Sequence, residues 1–171
     1  LSRVGRRPAR TPAAAAGTLG VWPEKVHVGD QGEATNFDHM VADLQRQIIE
    51  QERALYSDKV IEEAHNPKNL GRMTKPDACG IVRGWCGDTM EIYLRLDRER
   101  IKEITFMTDG CGPSVACGSM LTRLAHEMSL EEAGKITPEY LLEALDGLPE
   151  ESVHCAELAV STLREAIANR L

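Results

Sequence analysis

Aromatic side chains are scarce, 4% of 171 residues, so any core has to be built mainly from Leu, Ile, Val, Ala and Met. Long apolar runs are missing too. No stretch approaches the roughly 18 consecutive apolar residues of a membrane-spanning helix, so a membrane is not expected as a partner. Basic charge is in short supply: 20 Lys and Arg stand against 27 Asp and Glu, a formal net charge of -7. Phosphate binding relies on clustered Lys and Arg, so nucleic acid is not expected as the main partner. There is no internal repeat and no Gly/Ser linker, which leaves one compact domain plus a tail.

Five cysteines are an odd number, and their spacing is unlike the dense framework of small extracellular domains. Without a secretory apolar segment, free thiols in a reducing compartment are the better reading. The cytoplasm is the expected location, with the mitochondrial matrix as the alternative. Residues 1 to 36 differ in composition from the rest. Arg3, Arg6, Arg7 and Arg10, followed by Ala13 to Ala16, resemble an organellar transit peptide, but Pro8 and Pro12 would interrupt its helix. The segment is read as a disordered tail, and residues 37 to 171 as the functional domain.

Within that domain, Asp38 can cap a helix with Val41, Leu44, Ile48 and Leu55 on one stripe. Ser57 and Asp58 open a second, stopped at Asn66-Pro67. Three strands are expected over Gly80 to Trp85, Met90 to Leu96 and Ile101 to Thr108. In the second, Met90, Ile92, Leu94 and Leu96 alternate with Glu91, Tyr93 and Arg95, the period of a sheet with one covered face. The period turns helical from Pro113, short helices come next near Ser129 and Thr137, and a last one runs from His154 to Asn169. Strands grouped before helices predict an α+β fold, a three-stranded antiparallel sheet covered on one face by helices, with an N-terminal helix before it.

The chemistry sits where these elements meet. Cys86 and Asp88 fall on the turn between the first two strands, Cys111 lies between the third strand and the next helix, and His154-Cys155 opens the last helix. Gly87, Gly110 and Gly112 let the backbone approach closely, and the positive end of the last helix should favour the Cys155 thiolate. Three thiolates with one Asp or His would bind either an iron-sulfur cluster or zinc, and the harder fourth ligand weakens retention of a cluster. Weak retention suits a donor. Cys117, on the apolar side of its helix, reads as core packing, and Cys79 as a stray thiol. Met90, Met107, Met120 and Met128 read as core filling. His27, His39, His65 and His126 have no metal-ligand spacing.

Tyr56-Ser57-Asp58-Lys59-Val60, Asn66-Pro67-Lys68-Asn69-Leu70-Gly71, Cys86-Gly87-Asp88, Gly110-Cys111-Gly112 and His154-Cys155 occur in this order. Together they resemble an iron-sulfur cluster assembly scaffold of the IscU type, also found as the N-terminal domain of NifU. The resemblance covers about Leu55 to Ile167. It implies a non-enzymatic scaffold that assembles a transient [2Fe-2S] cluster and passes it on. Cys86, Cys111 and Cys155 would receive sulfur and ligate the cluster, Asp88 would keep it labile, and His154 would be an alternative ligand. The partners implied are a cysteine desulfurase, an iron and electron donor, and apo iron-sulfur acceptor proteins.

The chain departs from the family pattern at Pro149-Glu150-Glu151-Ser152-Val153, where many members carry Pro-Pro-Val-Lys before Ile-His-Cys. That change weakens the case for docking an Hsp70-type chaperone. The alternative is a SufU-type sulfurtransferase, in which bound Zn2+ organises the site and a cysteine accepts persulfide sulfur. That class typically lacks the His beside the last Cys and carries an insertion before it, for which the 44 residues from Cys111 to Cys155 leave little room. A third reading, a closed structural zinc module, fits poorly with a carboxylate at Asp88.

Overall fold

The computed structural model describes residues 35 to 170. The expected tail over residues 1 to 36 lies, but for its last two residues, outside them. Helix α1 spans Asn36–Leu55. Thr35 rather than Asp38 opens it: the Asp38 amide donates to Thr35 Oγ1 and the Thr35 amide donates to Asp38 Oδ2, a reciprocal pair that satisfies two end donors. The stripe on α1 is helical in period, yet no residue of the helix is buried, and Leu44 and Ile48 remain exposed.

Helix α2 (Asp58–His65) is capped by Ser57, whose Oγ accepts from the Val60 amide and donates to the Leu145 carbonyl. After α2 the chain runs beside the sheet, with the Phe106 amide donating to Asn69 and the Gly71 amide to Phe106. Strands β1 (Ala78–Arg83), β2 (Thr89–Asp97) and β3 (Arg100–Thr108) form an antiparallel meander in that order. Met90, Ile92 and Leu94 are fully buried, as their alternation predicts. On β3 both Ile101 and Ile104 are buried although they are three residues apart. A register shift opposite Arg95 and Leu96 makes this possible, because one extra residue reverses the facing of the strand beyond it.

Strand β1 begins and ends two residues earlier than its sequence suggests. The Gly84 amide donates to the Asp88 carbonyl and the Gly87 amide to the Gly84 carbonyl, so residues 84 to 88 close a turn. Trp85 therefore leaves the sheet and is 81% exposed. Met107 faces away from the core, on the open side of the sheet with Ile81, which corrects its expected role as core filling. Met90 and Met120 do fill the core.

Helices α3 (Gly112–Ala125), α4 (Leu130–Gly134), α5 (Pro138–Ala144) and α6 (His154–Ala168) complete the domain, with a single 3-10 turn at Glu150–Ser152. Helix α6 packs on β1 and β2 and α3 on β3, while α2 lies against α3. The contacts are close. A Cβ at Gly80 would lie 2.4 Å from the Ala166 amide nitrogen. Being central, α3 is buried almost all round, which explains its run of small residues Ala116, Cys117, Gly118 and Ser119. Buried Glu63 of α2 pairs with Arg123 and accepts from Ser119, tying α2 to α3.

Candidate metal centre

Three connections converge at one end of the sheet, and hydrogen bonds fix each of them. The β3–α3 loop is held against β2: the Thr89 amide donates to Asp109 Oδ1 at 2.6 Å, Thr108 Oγ1 donates to the Thr89 carbonyl, and the Gly110 amide donates to Thr108 Oγ1. This places Cys111 as the residue before α3, with Pro113 in the first turn. The turn over residues 84 to 88 brings Asp88 to the same place, and the start of α6 brings His154 and Cys155.

At the centre of these segments is Ser114, a fully buried residue. Its Oγ lies 3.0 Å from Asp88 Oδ2, 3.4 Å from Cys155 Sγ and 3.8 Å from Cys111 Sγ. His154 Nε2 is 3.7 Å from Cys155 Sγ, and its ring packs at 4.8 Å against that of Trp85. Asp88, Cys111 and Cys155 are thus gathered around one hydroxyl, with His154 beside Cys155. Cys86 is exposed on its turn and, among the described residues, makes no hydrogen bond to the other four. It is still close enough to raise the Cys155 thiol electrostatically. Among the described residues no three of the His, Cys, Asp and Glu side chains stand, as arranged here, within reach of one ion. Binding would require the thiols to turn toward a shared centre.

The glycines around this site differ in role. A Cβ at Gly110 would lie 2.5 Å from Asp88 Oδ2 and 2.7 Å from Ser114 Oγ, so only glycine leaves room for that pair. Gly87 holds the turn with a positive φ of 97°. A Cβ at Gly112 would meet nothing nearer than Ala64 Cβ at 3.9 Å, so no close approach there calls for glycine.

Electrostatics at Cys155 run against the helix-end expectation. Burial pushes its thiol up to about 11, the hydrogen bond with Ser114 works in the other direction, and nearby Cys111 and Cys86 add to the rise. Desolvation outweighs the helix end here because Cys155 has no exposed surface. Cys117 is also raised by burial, well above the ordinary thiol range, in keeping with core packing. Cys79 is partly buried on β1.

Two residues of the site do not stand out from sequence. Ser114 comes three positions after Cys111, the spacing that puts two side chains on one helical face, and that signal was available. Trp85 was readable as one of two Trp in a chain poor in aromatics, adjacent to Cys86.

Residues 55–170 match the family described as NifU-like N terminal domain. The chain belongs to that family. Its relatives include the iron-sulfur cluster assembly scaffold protein IscU 1 of Archaeoglobus fulgidus, 43% identical over 116 residues, 67% of this chain and 76% of the relative. The scaffold protein IscU of Haemophilus influenzae is 39% identical, over 67% of this chain and 94% of its own. Among solved structures, the N-terminal NifU-like protein of Brucella abortus shares the fold with a TM-score of 0.54 at 19% identity, covering 67% of this chain and 92% of that one. The meander and the helices on its face agree with a NifU-like domain.

Proposed function

We propose that this chain is a scaffold on which a labile [2Fe-2S] cluster is assembled and from which it is passed to apo-proteins. The observation that carries the reading is the gathering of Asp88, Cys111 and Cys155 around Ser114, with His154 beside Cys155 and Cys86 on the adjoining turn, in a chain of the NifU-like family. Exposed Cys86 and Cys111 are the accessible acceptors for sulfur from a cysteine desulfurase. Each sulfane sulfur received from a persulfide takes up two electrons to become sulfide, so an iron and electron donor is part of the cycle. Cys86, Cys111 and Cys155 hold the cluster as cargo. Asp88 supplies the hard, readily broken bond, and His154 is the alternative fourth ligand. The work is that of a carrier and not of a catalyst, and residues 37 to 171 are the scaffold domain that does it.

The test is anaerobic incubation with ferrous iron, cysteine and a desulfurase. The visible charge-transfer bands of a [2Fe-2S] centre should develop and then vanish as an apo-ferredoxin gains its own. Firmly bound zinc and no visible bands under the same conditions would favour the zinc-organised sulfurtransferase instead.

A further inference from the structure

We infer that Ser114 is the positioning residue of the cluster pocket: its hydroxyl holds one carboxylate oxygen of Asp88 and leaves the other free to meet the metal. The inference rests on the scaffold reading. Ser114 lies in the first turn of α3, where a hydroxyl commonly bonds to its own helix backbone. Its partners are instead Asp88 Oδ2, Cys155 Sγ and Cys111 Sγ, from three different parts of the chain.

A hydroxyl has one proton to donate, and an ionised carboxylate can only accept. Ser114 Oγ is in donor range of both Asp88 Oδ2, at 3.0 Å, and Cys155 Sγ, at 3.4 Å, and the nearer carboxylate oxygen is the stronger acceptor for its one proton. A sulfur that gives its lone pairs to a metal is a poorer acceptor, so once Cys155 becomes a ligand the Ser114 proton stays with Asp88. With Oδ2 held by this hydrogen bond, Asp88 turns Oδ1 to the metal, a single bond that an acceptor can displace more easily than a two-oxygen grip. Outer hydrogen bonds of this kind orient ligands and tune the metal. The absence of a side chain at Gly110 is a separate sign of the same arrangement, since a Cβ there would strike both Asp88 Oδ2 and Ser114 Oγ.

The experiment compares wild type, Ser114→Ala, Asp88→Ala and the double variant, each shown by thermal melting to be folded. Each is loaded with cobalt(II) alone and, separately, with cluster. If Ser114 acts through Asp88, cobalt in Ser114→Ala keeps the thiolate charge-transfer band of wild type while its d–d bands shift as Asp88 takes a two-oxygen grip, and in the Asp88→Ala background the Ser114 change moves neither set of bands. Cluster loss to a chelator then slows several-fold in both single variants, and no further in the double. Ser114→Thr, which keeps the hydroxyl, should restore the wild-type bands. Wild-type cobalt bands and release rate in Ser114→Ala, or fully additive effects in the double variant, would overturn the inference and leave the scaffold reading intact. A wild-type protein that shows neither thiolate–cobalt absorption nor a cluster would overturn both.

Discussion

Cys117 and Cys155 have the same surface exposure, none, and both lie on helices that pack against the sheet. They differ in their surroundings. Cys155 meets the hydroxyl of Ser114 and the imidazole of His154, next to an exposed turn and loop. Cys117 lies two turns along α3 in the apolar core cluster with Phe106 and Leu121. Burial therefore does not distinguish the proposed ligand Cys155 from the core thiol Cys117; polar neighbours and a nearby opening do.

The largest effect should come from breaking this contrast at Cys155. Cys155→Ala is expected to abolish cluster formation in the reconstitution assay while circular dichroism stays native. A normal cluster yield would remove Cys155 from the site. Cys117→Ser should do the reverse: cluster assembly survives, but a hydroxyl placed in an apolar pocket costs about 1–3 kcal/mol in a denaturant titration. A dead but stable variant would make Cys117 a ligand.

Alkylation sharpens the comparison without mutation. In native protein iodoacetamide should label Cys86 and Cys111 rapidly, with Cys155 and Cys117 reacting only under denaturing conditions. Peptide mass spectrometry reads the order, and early labelling of Cys117 would contradict its core placement.

The smallest effect lies on the open face of the sheet. Glu91 is held at about 2, below its ordinary value of 4.5, chiefly by hydrogen bonds from Arg72 and Tyr93. A lowered carboxylate contributes stability that is complete above its unfolded value and lost as pH falls from about 4.5 toward 2. Because Arg72 is largely exposed, Arg72→Ala should lower stability only slightly at neutral pH, and still less at pH 2. Equal losses at both pH values would argue against the ion pair as the cause.

Much of the fold was legible because its signals are local. Alternation along Met90 to Leu96, the hydroxyl caps at Ser57, Ser129 and Thr137, and the stop at Asn66-Pro67 each depend on a few adjacent residues. The features that were missed depend on partners distant in sequence. The apolar stripe of α1 gave its helical period, but burial needs a neighbouring surface that the described residues do not provide. Trp85 reads as strand in the sequence, whereas the Gly84 and Asp88 backbones close a turn beneath it. The extra residue near Lys102 shows only in pairing with β2. At the site, the Cys, Asp and His residues stood out by type, whereas Ser114 is an ordinary residue whose role arises from the approach of two remote segments. The helix-end effect expected at Cys155 is outweighed for the same reason, since the burial that raises its thiol is set by packing.

The central claim is that the pocket assembles a cluster and gives it up. Its most direct test is chemical analysis of iron, zinc and acid-labile sulfide in anaerobically reconstituted protein, before and after mixing with apo-ferredoxin. The account predicts iron and sulfide in equal amounts, both falling together as the acceptor gains them. Zinc without sulfide, or a cluster that the acceptor never receives, would contradict it.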